Sequence, residues 1–572
     1  MKKIGLLSVN IFLCIALLIG CGSTSPSGTS QSQGTDKNAG DSAATEPGTF
    51  PIVKDKVTLK VFFTRDTPPA NWEIESNWFT KYYEEKTNVH IEWEMVTGDI
   101  SQRAQKVNLK LASGDYPDIF SMCAINRSQQ AMYGSQGVFI PLNDMIEKDT
   151  VNIKQMFNEV DGLKDTVTAP DGNIYGLPNV VYFVHGTTPN KMWVNNTWLT
   201  KLNLETPKTT DDFYKMLKAF KEQDPNGNGK ADEVPLASQG LDIAYLMNSF
   251  VYYDASVNNS DNSYAMVEDG KIKFIADTPE FKEGLKYIKK LVEEGLYAAD
   301  SITMDRTQRT SLAMKDPAVL GAATALWPGH FTNVQSPVYK EGDRFWEYKA
   351  VAPLEGPTGL RQTPYTGEMI LNGGSEFNIT KNCKDPEVAM RWVDWFYGME
   401  GFNTGSYGPL VESEDQLIEG VAGWRKAAPD ELGADGKPAL FFPYGLNNEV
   451  NVGWQTGQVV PRYQSFKQHT GMTVPAKGHY EQMLYDATVN DYWPYKADKS
   501  VPPLYMQDSV ASEFTELKSI LNESITQSMA QFITGVKNID SDWDKYVDDL
   551  NKSGLKRYME IYQSEYDRNN QK

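Results

Sequence analysis

Histidine and cysteine are scarce: the chain has 5 and 4 of them among 572 residues. His90, His185, His330, His469 and His479 have no HExxH-like spacing, so no zinc-hydrolase motif is written in the sequence. Cys14 lies in the first apolar run and Cys21 just after it, which leaves Cys123 and Cys383 for the folded part. Those two can form one disulfide in an oxidising compartment or stay as two thiols, and their spacing is not that of a metal site. Positive charge is also short. The 55 Lys and Arg face 75 Asp and Glu, a net charge of −20, and removal of Lys2 and Lys3 with the leader would make it −22. So acidic a surface argues against nucleic acid as a partner. Beyond the leader, no run is long and apolar enough to cross a membrane.

Residues 1–20 are the leader. Lys2 and Lys3 precede the apolar run Ile4–Ile19, and Leu18-Ile19-Gly20-Cys21 places small residues before a cysteine. This resembles a bacterial lipobox, whose cleavage leaves Cys21 as an acylated N-terminus rather than a permanent membrane span. The acyl chains are then expected to hold the protein on the outer face of a membrane. Residues 21–51 are rich in Ser, Gly, Thr and Gln and read as a flexible tether. The remaining length exceeds what one hydrophobic core supports, so two or more lobes are expected.

A marked helix and an acidic loop dominate the middle of the chain. Thr209 or Thr210 can cap a helix whose first turn carries Asp211 and Asp212, and Phe213, Met216, Leu217 and Phe220 form one apolar face. The loop DPNGNGKADEVP then puts oxygen-bearing groups at alternating positions: Asp224, Asn226, Asn228, the Lys230 carbonyl, Asp232 and Glu233. Calcium takes six to eight oxygen ligands in flexible geometry, and this spacing supplies them. The match to an EF-hand loop ends at its last position, where Pro235 stands in place of glutamate, so Glu233 would have to close the shell. A plain solvated Asn/Gly/Asp turn is the alternative.

Elsewhere the pattern is α/β. VTLKVFFTR (57–65), VHIEWEMV (89–96) and DIFSM (118–122) read as strands separated by helical stretches, which implies a parallel sheet. Ligands in such sheets sit beyond the carboxyl ends of the strands, which points to Arg65 and Asp118. A hairpin is expected around Asp269-Gly270, a helix over 279–293, a helix opening at Asp385-Pro386, and helices over 508–533 and 541–565. Residues 405–505 are loop-rich and aromatic.

The segments LASGDYPDIF, DGNIYGLP, WVNNTWLTKLNLETPKTTDDFYKMLKAFKEQDPNGNGKADEVP, FKEGLKYIKKLVEEGL and FITG…WDKYV together resemble the extracellular solute-binding lipoproteins of ABC transporters, in the large oligosaccharide-binding group. The resemblance spans about residues 52–568. It implies a two-lobe periplasmic-binding-protein-like α/β fold (type II), with the ligand cleft between lobes. It divides the chain into 52–184 and 374–410 for the N-terminal lobe, with 185–373 and mainly 411–572 for the C-terminal lobe. The crossings are expected near 180–188 and 368–376. Some members of the group hold calcium in the loop matching Asp224–Glu233, where Pro235 is no departure.

The resemblance further implies a monomeric receptor, lipid-anchored outside the cell, that hands an oligosaccharide to membrane permease subunits without chemistry. Aromatic rings would cover the apolar face of a sugar and polar groups would take its hydroxyls. Trp327, Tyr365, Trp454 and Trp493 are the candidate platforms, because each sits in a Gly/Pro-flanked loop; Arg65, Asp118 and Arg462 are the polar candidates. Trp392, Trp395 and Trp543 are expected in the core. A peptide-binding lipoprotein would need charges for both chain ends. A glycoside hydrolase would need two carboxylates about 5–10 Å apart, and none stands in a recognisable catalytic context.

Overall fold

The computed structural model describes residues 44–254, 264–332, 343–366, 370–444, 450–454, 458–474, 480–502 and 504–570. The leader, Cys21, most of the 21–51 tether, His479 and part of the second expected crossing lie outside them.

Ten strands build two sheets. In chain order they are β1 (Val57–Arg65), β2 (Val89–Thr97), β3 (Ile119–Ile125), β4 (Leu177–Val181), β5 (Lys191–Asn195), β6 (Val234–Ala237), β7 (Leu320–Ala325), β8 (Tyr348–Val351), β9 (Ile370–Ile379) and β10 (Tyr463–Gln464). The larger sheet has the order β10-β4-β9-β3-β1-β2 and the smaller β8-β5-β7-β6. The expected β-α-β-α-β opening is present. β1 runs parallel to β2 and β3, with Val57 opposite Val89 and Val61 opposite Ile119, and the helices Trp78–Thr87 and Ile100–Ser113 connect them. The second connecting helix starts at a capping box between Asp99 and Gln102.

Both sheets are mixed rather than mostly parallel. β9 lies antiparallel to β3 and to β4, and β5 lies antiparallel to β7 and β8. The cause is connectivity: β9 comes back from the second lobe and enters between two first-lobe strands already in place.

Each lobe has its own core. In the first, the rings of Phe79, Tyr83, Trp392, Phe396 and Trp454 pack among Val61, Phe63 and Ile119. Trp392 and Trp395 are buried here as expected. In the second, the helix Thr210–Glu222 buries Phe213, Met216, Leu217 and Phe220. The helices Pro279–Glu293 and Asp508–Ile533 close over it with Trp543 and Tyr546. The helix expected over 541–565 is two helices, Trp543–Lys552 and Leu555–Asn570, because Gly554 takes φ +97 between them. Trp454, Val459, Val460 and Tyr463 join the first core, while the 508–570 helices pack on the second. Cys123 and Cys383 are both free thiols.

Candidate functional site

β4 ends at Val181, and a tight turn at Val184–Thr187 carries the chain to β5 of the other sheet. The chain passes here from the larger sheet to the smaller. His185 sits on that turn. The helix Phe466–Thr470 follows β10, is started by a capping box between Ser465 and Gln468, and carries His469 in its last turn. A third helix, Tyr480–Asp486, carries Glu481, and Leu484 of that helix is buried in a second-lobe cluster with Trp193 and Tyr348. These three pieces enclose a cavity lined by His185, His469, Met472, Val474, Glu481 and Tyr485.

The polar groups of the cavity are closely set. His185 Nδ1 is 3.8 Å from a Glu481 carboxylate oxygen, and the His185 and His469 ring centres are 5.6 Å apart. One ligand-capable atom from each of the three lies within 4.8 Å of the others, so the cluster could coordinate a metal ion. Burial shifts all three groups toward neutrality. It pushes His469 down to about 4, with the Arg462 charge adding to the effect. It holds His185 well below the usual imidazole range, with His469 and Lys191 adding to it. It pushes Glu481 up to about 7, against a hydrogen bond from Tyr480. Lys191 lies just behind, its ammonium donating to the carbonyls of His185 (2.7 Å) and Thr188 (2.6 Å), and burial lowers it to about 7.

The sequence-derived candidates fall into three groups. Tyr365 and Trp493 come together: Lys496 Nζ lies 4.5 Å from the Tyr365 ring centre and 5.6 Å from that of Trp493. The Trp493 indole N–H donates to Thr187 Oγ1 on the crossing at 3.0 Å. Trp327 and Arg462 each lie near one residue of the cluster rather than in the cavity lining. The Trp327 ring centre is 5.7 Å from that of Tyr480, the neighbour of Glu481. The Arg462 guanidinium lies 4.7 Å from the centre of the Phe402 ring, and burial lowers it to about 10, against Tyr407.

Trp454, Arg65 and Asp118 have other work. Trp454 is 1% exposed, sits edge-on to Phe79 at 4.8 Å and donates its indole N–H to Thr80, so it has no face to offer a ligand. Arg65 is buried at the carboxyl end of β1, 3.9 Å from the Trp72 ring centre. Asp118 precedes β3, at the opposite end of the strand from the one expected to face ligand, and its carboxylate accepts the Lys60 backbone N–H of β1 at 2.8 Å. His185, His469 and Glu481 were not candidates. His185 is far from the other two in the chain, and only the fold brings the three together.

Two lobes, a crossing segment and a polar cavity where the lobes meet define a solute-binding protein. Residues 72–401 match the family described as bacterial extracellular solute-binding protein, and the chain belongs to that family. It is 29% identical over 532 residues, 91% of each chain, to the fructooligosaccharide ABC transporter substrate-binding protein FusA of Streptococcus pneumoniae serotype 4. The structure of S. pneumoniae FusA in complex with kestose superposes with TM-score 0.69 at 26% identity, covering 89% of this chain and 99% of that one. An EF-hand mutant of FusA in complex with fructo-nystose gives TM-score 0.70 at 25% identity with the same coverage.

Proposed function

We propose that the protein is a lipid-anchored receptor on the outer face of the membrane. It captures an oligosaccharide between its lobes as a monomer and hands it unchanged to the permease of an ABC importer. The observation that carries this reading is the first crossing, where Thr187 meets Trp493 and the Thr366 backbone while His185 meets Glu481 from the second lobe. A solute touching both sides there would favour the closed arrangement through its contacts with both lobes. The likeness to FusA, whose structures hold kestose and fructo-nystose, supports short fructose-containing chains as the first sugars to try. Trp493, Tyr365 and Trp327 supply the ring faces, and Arg462 with Glu481 supplies polar contacts. Glu481 is the one carboxylate among the described lining residues, whereas hydrolysis of a glycosidic bond uses a pair.

The same reading puts calcium in the acidic loop. Asp224 accepts backbone N–H groups from Gly227, Asn228 and Gly229, which folds the loop around its own carboxylate. Asn226 and Asn228 both lean on Asp232. Glu233 Oε1 is buried without a hydrogen-bond partner among the described residues. Burial, with Asp224 and Asp232 nearby, raises the Glu233 carboxyl. An orphaned buried oxygen among acidic neighbours fits a hard cation. Asp224, Asn226, Asn228, the Lys230 carbonyl, Asp232 and Glu233 would hold it, stiffening the second lobe far from any chemistry. The mature chain tests the main reading: tryptophan fluorescence is followed during titration with kestose and fructo-nystose and with oligosaccharides that lack fructose. A saturable response to one class supports capture; a flat response to all of them contradicts it.

A further inference from the structure

The chain carries a second cluster of metal-ligand chemistry, remote in sequence from the acidic loop. We propose that His185, His469 and Glu481 form a site for a borderline divalent transition-metal ion of the zinc class, and that this ion bridges the two lobes. The inference does not depend on which solute is bound.

The donor set is two imidazoles and one carboxylate, a combination that suits zinc. Calcium and magnesium ask for more oxygens than this cavity offers. Their ring nitrogens and carboxylate oxygens already lie within 4.8 Å of one another, so little rearrangement would be needed to reach a common ion. Arg462 faces His469 and Lys191 faces His185, and the Glu481 carboxylate offsets part of that charge on binding.

The bridge follows from where each ligand is anchored. His185 is on the crossing turn beyond β4, and His469 is on the helix that follows β10, both attached to the larger sheet. Glu481 is on a helix whose Leu484, with Ala487 just past its end, is buried with Trp193 and Tyr348 of the second lobe. An ion held by all three would therefore resist separation of the lobes.

The test uses the metal-stripped mature chain, titrated with Zn2+ by calorimetry and with Co2+ by visible absorption. Expected is one equivalent of each, with the intense visible bands of low-coordinate cobalt. His469→Gln and Glu481→Gln should each weaken Zn2+ at least about tenfold, as expected when one of three ligands is lost. A loop variant, Asp224→Asn, should leave it unchanged. Thermal unfolding of the metal-free variants checks that they fold, and the wild-type titration stands without them. No stoichiometric Zn2+ uptake by the wild type, or equal uptake by both ligand variants, would overturn the proposal.

Discussion

Asp394 Oδ1 accepts the Ile153 backbone N–H at 2.8 Å, and its other oxygen accepts those of Val151 and Asn152. The helix Asn152–Glu159 has Val151 at its cap position and no capping side chain of its own, so a residue from a distant helix supplies the acceptor. This contact ties the returning 386–394 helix to the first lobe. Asp394→Ala is expected to lose about 1–3 kcal/mol, the cost of leaving buried donors unmade, and Asp394→Asn less. Urea unfolding followed by circular dichroism measures it. A loss below about 0.5 kcal/mol would show that water replaces the cap.

Removal of calcium should destabilise the second lobe. Adding chelator to the mature chain is expected to lower its melting temperature, and excess calcium to restore it, because an ion that binds only the folded state stabilises by mass action. Glu233→Gln should shrink that difference, since it takes away the negative charge and replaces one carboxylate oxygen by an NH2 group that cannot ligate calcium. A melting temperature indifferent to chelator and calcium would leave the loop as a simple turn.

Two tryptophans should separate binding from stability. Trp493→Ala is expected to weaken a captured oligosaccharide about tenfold or more, roughly 1.4 kcal/mol, with little effect on unfolding, because its ring is only half-buried at the crossing. Trp454→Ala should cost about 3–5 kcal/mol of stability while the folded fraction binds sugar normally. Calorimetry and chemical unfolding on both variants check the pair, and the reverse pattern would put the cleft elsewhere.

Glu376 makes the stability of the first lobe pH-dependent. Burial pushes its carboxyl up to about 8, against the Ala124 N–H it accepts at 3.0 Å and the Arg103 charge. Between the ordinary carboxyl value of 4.5 and about 8, the unfolded chain has lost this proton and the folded chain keeps it. The contribution is full below that window and is lost as pH rises through it. Glu376→Gln lacks the effect. The melting temperature of the variant should therefore gain on the wild type between about pH 5 and about pH 8; a constant difference would place the carboxyl near its ordinary range.

Local chemistry was legible in the sequence, and long-range meeting points were not. The 210–222 helix, the hairpin at Asp269-Gly270 and the opening strands followed from periodicity and turn residues a few positions apart. Trp454 looked like a cleft ring because glycines flank it, but Gly453 instead lets the backbone approach Gly405 and Ser406 closely, which seats the indole in the core. Asp118 was assigned to the carboxyl end of β3 although it stands before the strand's first residue, at the amino end, where it accepts the Lys60 N–H. His185, His469 and Glu481 carry no common spacing, and their juxtaposition depends on β10 docking beside β4.

Calorimetric titration of the mature chain with kestose and fructo-nystose, followed by chromatography of the recovered sugar, tests the receptor reading most directly. The account predicts one saturable site per chain and sugar returned at its original length. Absence of heat with every oligosaccharide tried, or recovery of shortened sugar, would contradict it.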